Sequence, residues 1–541
     1  MEITQEQIER AADGMDVTPA DLKNFVALGE KRSFPKGDYL FHESAPRQFF
    51  GIVLKGKINL QRGLSGRNVT IACLSEGAVI GESLFIDELA HSVSGLALED
   101  VEVWAITRAK IEGFRREKPE IFYQMVGRAA RRISLRLRET TEILLHSERN
   151  RSIITDYRVE HDSLGEREVS NAHYYGVQTT RAVENFPFSG IRLSHFQHLV
   201  NAFAHVKKAA AVANAELGVL DPAIAGAIGQ ACDRILAGEL HEHFVVDMVQ
   251  GGAGTSSNMN ANEVIANCAL EILGHRKGEY EFCHPNDHVN RSQSTNDVYP
   301  TAVKLSVVSA LHETISALGV LRKAFQKKAV EFADVIKMGR TENQDAVPMT
   351  LGQEFTAYAT MINDGIRRLN RASEDLLIVN MGATAIGTGL NSPRGYAELC
   401  TARLAEVSGH PVTLAQDLVE ATQDAADFAV MSSALKVTAI QLSKICNDLR
   451  WASSGPRCGL DEINLPPLQP GSSIMPGKVN PVLPEVVNQI CYQIIGSDLT
   501  VSMAAEASEF ELNMAEPIIV YNLLSSMMLL KNAAIVLANR C

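Results

Sequence analysis

The chain has 541 residues, 46% of them hydrophobic and 21% charged. That excludes a disordered or collagen-like polypeptide and leaves room for three or four domains at about 150 residues each. Against 51 basic residues stand 64 acidic ones, a formal net charge of -13, so the positive excess of a nucleic-acid binder is absent, although local positive charge can still receive an anionic substrate.

The opening MEITQEQIERAADG is too polar and acidic for a signal peptide. Residues 35–108 read as short strands broken by turns. Apolar and polar residues alternate around Phe49, Ile52, Leu54, Ile58 and Leu60, and Pro35-Lys36-Gly37 and Leu64-Ser65-Gly66 are turn material. VTIACL, AVIGESLF and VEVWAI continue the pattern, which predicts a small β-barrel or jelly roll with flanking helices. From about Pro119 the period changes. Ile121, Met125, Ala129, Ile133 and Leu137 form an i,i+4 stripe on a long connecting helix, and Arg128, Arg131, Arg132, Arg136 and Arg138 read as its solvated face. The aperiodic stretch 146–152 marks the domain junction.

Most of the remainder is predicted helical, with segments at 197–216, 260–273, 302–333, 351–370, 414–449 and 484–506. Long helices with no sheet between them predict a bundle, and long apolar faces favour self-association. The nine cysteines are scattered and contain no CxxC pair, against a disulfide scaffold or a thiolate zinc site. No run of about 18 apolar residues is free of charge, so no membrane span is expected. These features together predict a cytoplasmic protein.

Three polar stretches interrupt the helices: GGAGTSSN at 251–258, SQSTND at 292–297 and GSSIMPGKVNP at 471–481. None has a Walker spacing, a dinucleotide fingerprint or an HExxH pattern. Their hydroxyls, amides and backbone N–H groups suit the grip of carboxylate oxygens, best at helix N-termini, and Lys478 adds a full positive charge. His284 and His288 have i,i+4 spacing, but Pro285 biases His284 away from helical geometry and no further ligand completes a metal set. They are read as satisfied polar histidines, and no metal or cofactor is expected. His241 and His243 read as an exposed turn, and Asp424 and Asp427 as capping or interhelical residues.

The 471–481 loop carries a specific resemblance. From about Tyr157 to the last residue the chain resembles the aspartase/fumarase superfamily, most of all its aspartate ammonia-lyases. Matching stretches are EHDSLGERE at 160–168, YYGVQTTRAVENFPFSG at 174–190, GTSSNMNANEV at 254–264, QSTNDVYPTA at 293–302, QDAVPMTLGQEF at 344–355 and GATAIGTGLN at 382–391. The resemblance implies a helical homotetramer whose shared active sites draw the three signature regions from three subunits, with region one (Thr255), region two (Thr295) and region three (Ser472) meeting only across subunits. It implies a small dicarboxylate amino-acid substrate, L-aspartate, converted reversibly to fumarate and ammonia through an aci-carboxylate, with no nucleic-acid or membrane partner. Carried over residue by residue, Ser472 is the base. Thr255, Ser294, Thr295 and Ser473 grip the carboxylate beside the abstracted proton, Lys478 and Asn480 hold the other, and Asn296 and Thr341 surround the leaving amine.

Three departures accompany the resemblance. Glu342 stands where the family has His or Gln, and would modify specificity. A small C-terminal helical domain that the family carries is expected to be absent after Cys541. Ser508-Glu509 replaces a Gly-Gln pair and is assigned no chemistry. Two other readings follow: a lyase for an N-substituted or modified aspartate, motivated by Glu342, and a non-catalytic ligand sensor or assembly protein with a degenerate lyase body. The expected domains are 1–150, 151–293 and 294–541.

Residues 18–135 resemble the cyclic-nucleotide-binding domain of bacterial regulators, through FPKGDYLFHE, GIVLKGKINL and IGESLF. Gly81 and Glu82 match the start of the phosphate cassette, but His91 and Ser92 stand where that family uses Arg followed by Ser or Thr. A neutral imidazole cannot supply the bidentate guanidinium fork, so tight cyclic-nucleotide binding is not expected. A regulatory or assembly role is.

Overall fold

The computed structural model describes residues 27–46, 48–64, 67–81, 91–119, 122, 157–471, 473–475 and 477–541. The apolar stripe and arginines expected at 121–138, the junction at 146–152, Ser65, Gly66, Glu82 and Ser472 lie outside those residues. The chain divides into two compact units, Met1–Ile153 and Ile154–Cys541.

Among the described residues of the first unit, eight strands form two four-stranded antiparallel sheets. They are β1 (Glu30–Phe34), β2 (Tyr39–Phe41), β3 (Phe49–Lys55), β4 (Ile58–Leu64), β5 (Arg67–Leu74), β6 (Val79–Ile80), β7 (Ser94–Ala97) and β8 (Val101–Thr107). The sheets run β1-β8-β3-β6 and β2-β7-β4-β5, the expected jelly-roll class. The turn at Pro35 closes as predicted, the Asp38 N–H donating to the Pro35 carbonyl at 3.1 Å. The alternation expected along β3 fails, because all of Phe49–Val53 is buried. This strand lies between β8 and β6, and an inner strand covered on both faces reads as a continuous apolar run. Helix α1 (Arg108–Glu117) follows β8 and buries Ile111 and Phe114.

The second unit opens with a hairpin absent from the sequence reading, β9 (Tyr157–Asp162) and β10 (Gly165–Ser170). Helix α2 (Val177–Asn185) follows, with α3 (Gln197–Glu216), α4 (Pro222–Leu236) and α5 (Thr255–Ile272). The body is built on α6 (Thr295–Glu331), the hairpin β11 (Ile336–Thr341) and β12 (Gln344–Thr350), and α7 (Leu351–Glu374). Then come β13 (Ile378–Val379), α8 (Tyr396–Ser408), β14 (Thr413–Leu414), α9 (Glu420–Gln423), α10 (Ala426–Ala452), α11 (Val482–Glu506) and α12 (Glu516–Arg540). Five of these helices pack as a closed ring: α6 against α7, α7 against α10, α10 against α11, α11 against α12, and α12 back against α6. One continuous apolar core runs through the unit.

Helix boundaries differ from expectation where side chains answer backbone groups. The helix expected from 302 starts at Thr295, because Ser294 and Asp297 form a reciprocal capping box. Pro300 lies inside this helix and has no N–H for the Asn296 carbonyl, which accepts instead from Asn380 Nδ2 at 3.1 Å. The segment expected as helix from 414 is split. Thr413–Leu414 pairs in parallel with β13, and Asp424 then accepts from the Ala426 N–H at 3.1 Å as α10 begins. Asp427 forms an interhelical ion pair with Lys304 at 2.8 Å. By length and composition α6 and α12 are apolar enough to cross a bilayer, which the sequence reading did not detect. Their apolar windows are 61% and 50% buried inside the unit, as core helices of a bundle.

Glu516, in the first turn of α12, is 4% exposed, and its Oε2 accepts no hydrogen bond from the described residues. Burial pushes its carboxyl up to about 8, against the opposing pull of Lys304. Between the ordinary value of 4.5 and about 8 the folded chain holds a proton that the unfolded chain has released. The contribution of this group to stability therefore falls as pH rises across that window. Relative to wild type, Glu516→Gln should gain thermal stability progressively from about pH 5 to about pH 8. Melting curves that shift in parallel would refute the assignment.

Candidate active site

In the first polar segment Gly254 is the residue before α5, with φ +88°. A Cβ there would stand 2.3 Å from the Tyr299 ring, so both the left-handed backbone and the close ring require glycine. Thr255 opens the helix exposed, its hydroxyl donating to the Gly252 carbonyl at 2.7 Å. Gln250 Oε1 accepts from the Ser257 N–H at 3.1 Å, answering one of the helix's unpaired donors.

The second segment forms the N-terminus of α6, where the helix dipole favours negative charge. Ser294 Oγ accepts from the Asn296 N–H at 3.2 Å. Thr295 Oγ1 accepts from Asn258 Nδ2 at 3.2 Å. No acceptor among the described residues takes either hydroxyl hydrogen, so both can donate to a ligand. Asn296 differs. Its Nδ2 donates to the Ala385 carbonyl at 2.7 Å, which leaves Oδ1 as its free end, an acceptor. Two hydroxyl donors and one amide acceptor thus stand side by side.

Beneath them Asp297 is fully buried. Its carboxylate accepts from the N–H groups of Ser294 at 2.9 Å, Gly382 at 3.0 Å and Thr384 at 3.1 Å. Burial pushes it up to about 6, against those bonds and nearby Lys207. Lys207 is itself fully buried, which pushes it down to about 7, against the field of Asp297. Its ammonium donates to Asn290 Oδ1 at 2.7 Å and Gln293 Oε1 at 3.0 Å.

In the third segment Ser473 and Lys478 are exposed and Asn480 is half-buried. Lys478 Nζ donates to Asn480 Oδ1 at 2.9 Å, pairing two residues expected to share one carboxylate. The loop is pinched at its base, since a Cβ on Gly471 would stand 1.8 Å from the Lys478 carbonyl oxygen. Thr341 and Glu342 lie at the exposed tip of the β11–β12 hairpin. The turn residues Glu342 and Asn343 have φ +55° and +63°, the left-handed pair of a type I′ turn. Lower on the hairpin, Arg340 meets Glu462 at 2.7 Å, and Lys337 pairs with both Glu462 and Glu354. Glu462 belongs to the segment leading into the Gly471 loop.

Within one chain, then, the first two segments join through Asn258 and Thr295. This corrects the expectation that regions one and two meet only across subunits: the N-termini of α5 and α6 pack directly. No hydrogen bond or ion pair among the described residues ties Thr341, Glu342, Ser473, Lys478 or Asn480 to them.

Several polar residues weighed in the sequence have structural partners. His284 Nδ1 accepts from the Asn286 and Asp287 N–H groups, and His288 Nδ1 from the His284 N–H, so both rings cap the turn Pro285–Val289. His241 and His243 are half-buried rather than exposed, the His243 ring packing against Tyr174 and Tyr175. Ser508 Oγ donates to the Gln423 carbonyl at 2.6 Å.

A family model described as Lyase matches residues 165–496, most of the second unit. The chain belongs to the aspartase/fumarase superfamily. Aspartate ammonia-lyase from Pseudomonas aeruginosa is 56% identical over 391 residues, covering 72% of this chain and 82% of that protein. Among solved structures of the superfamily, the fumarate lyase:delta crystallin from Brucella melitensis, bound to cobalt, has a TM-score of 0.70 at 56% identity, over 71% of this chain and 84% of that one. A class II fumarase from Schistosoma mansoni has a TM-score of 0.68 over the same shares but only 35% identity. The chain is close to the aspartate ammonia-lyases of the superfamily. A second model, described as Cyclic nucleotide-binding domain, matches residues 31–118 of the first unit. There Gly81 directly follows β6, Ser92 is exposed, and the His91 ring lies flat on Phe41 with centroids 4.2 Å apart.

The sequence reading missed Lys207 and Asn290, and placed Asn258 and Asp297 in the polar segments without giving them a role. The available signal was the density of amides in SSNMNANEVIAN at 256–267, where burial requires every polar group to find a partner. The pinched loop base gives a test. Gly471→Ala should leave the melting temperature close to wild type but lower kcat/KM about 10²-fold, by shifting the loop about 1 Å. Unchanged kinetics would show that the pinch does not position the loop.

Proposed function

We propose that this chain is an aspartate ammonia-lyase, eliminating ammonia from L-aspartate to give fumarate and running the reverse addition. The observation that carries this reading is the donor pattern on α6. Ser294 and Thr295 offer O–H groups suited to a carboxylate, while Asn296 offers a carbonyl oxygen suited to an ammonium. The higher identity to aspartate ammonia-lyase than to class II fumarase points the same way.

In this mechanism Ser472, as its oxyanion, removes a proton from the carbon beside one carboxylate. That carboxylate gains a second negative charge as an aci-carboxylate, met by Ser473, by Thr255, Ser294 and Thr295, and by the helix N-termini that carry the last three. Lys478 and Asn480 hold the other carboxylate. Collapse of the aci-carboxylate forms the carbon–carbon double bond and breaks the carbon–nitrogen bond. The ammonium of the substrate, held by Asn296 and Thr341, leaves as neutral ammonia, and the abstracted proton stays on Ser472. Glu342 adds negative charge beside the ammonium end. The third segment and the hairpin tip reach the α6 terminus across subunit boundaries in a homotetramer. We place the enzyme in the cytoplasm, in keeping with nine cysteines that are all free thiols.

Ser472→Ala should keep the assembly intact and lower kcat/KM for fumarate formation from aspartate by at least about 10³. Near-wild-type turnover would remove Ser472 from the mechanism, and faster turnover of malate than of aspartate would move the assignment to a hydro-lyase. The first unit acts in this reading as an assembly or regulatory shell without tight cyclic-nucleotide binding. Calorimetry of the whole protein with cyclic AMP and cyclic GMP near neutral pH should show no micromolar binding. Micromolar binding would make that unit a nucleotide sensor.

A further inference from the structure

We propose that Asn258 is a positioning residue, which fixes Thr295 as a hydrogen-bond donor to the substrate carboxylate. The inference rests on the reading above that Thr295 touches that carboxylate, and concerns what orients its hydroxyl.

One group beside Asn290 has no choice of role. The Gln293 backbone carbonyl can only accept, so the Asn290 atom it meets at 3.1 Å must be Nδ2, and the end of Asn290 that meets Lys207 at 2.7 Å must be its oxygen. That same oxygen also faces Asn258 and Asn262, each at 3.2 Å, so both must present Nδ2 to it. The other hydrogen of Asn258 Nδ2 is directed to Thr295 Oγ1 at 3.2 Å. Thr295 therefore accepts at its oxygen, and its own hydrogen is left to point at a ligand. Asn290 cannot flip to undo this, because its Nδ2 is held by the Gln293 carbonyl at 3.1 Å. The arrangement has a cost: Asn258, 1% exposed, keeps an Oδ1 that accepts no hydrogen bond from the described residues. Turning the amide over would put that oxygen against Asn290 Oδ1 and make Thr295 donate inward. A buried carbonyl left unpaired while both amide hydrogens are engaged is what a fixed polarity requires.

The test is a double-mutant cycle on the full-length enzyme, with folding checked by melting temperature and oligomer size. Thr295→Val should lower kcat/KM for aspartate by about 10²-fold or more. Asn258→Leu, close in shape but without donors, should lower it by about tenfold, mostly in kcat, because charge on this carboxylate grows in the transition state. Asn258→Asp should do worse, about 10²-fold, because its oxygen draws the Thr295 hydroxyl inward beside a new negative charge. Adding either Asn258 change to Thr295→Val should cost no more than about threefold further. Independent, multiplying losses would overturn the positioning role while leaving the carboxylate site intact, as would an unchanged kcat in a folded Asn258→Leu enzyme. If Asn258→Leu does not fold, the cycle with Asn258→Asp decides. A Thr295→Val enzyme of wild-type activity would overturn the carboxylate reading itself, and the role of Asn258 with it.

Discussion

One buried carboxylate holds the working end of the second unit together. Asp297 receives N–H groups from its own helix cap and from two residues of the GATAIGTGLN segment, almost ninety positions later in the chain. An ionised carboxylate with no water around it is unfavourable unless its lone pairs are answered, and here three backbone donors answer them. The same contact fixes where Ala385 lies, and the Ala385 carbonyl then decides which end of the Asn296 amide is free. The chemistry offered to a ligand thus follows from a bond that never touches it.

The layers of the site were unequally legible in the sequence. The three polar segments stood out because Gly, Ser, Thr and Asn interrupt apolar helices, and a motif as irregular as GSSIMPGKVNP identifies a family directly. Their support did not stand out. Lys207 and Lys208 are adjacent and chemically alike, yet helix geometry buries the first among Asn290 and Gln293 and turns the second out to Asp233. Periodicity alone cannot say that a lysine belongs to the inner face. The helix expected from 260 begins five residues earlier for a related reason: its first turns are polar, and polarity reads as loop until buried partners are known.

In the fold, several long helices were read, though not α4 or α12, and short strands were read poorly. The segment 197–216 came out to the residue because Ala-rich periodicity has no competitor there. The hairpins at 157–170 and 336–350 are stabilised by pairing and by turn geometry, with few buried side chains, so no hydrophobic pattern announced them. In the first unit the strands were evident, but inner and edge strands could not be told apart, and burial on both faces of β3 erased the expected alternation.

The clamp at Glu462 ties two distant parts of the chain into one mechanical element. A single carboxylate draws Arg340 and Lys337 from the strand that ends at Thr341, and it sits nine residues before Gly471. The hairpin tip and the base of the serine loop therefore share an anchor and do not swing independently. Such a linkage acts as a lever arm. A displacement at one end reaches the other through a short and charged pivot.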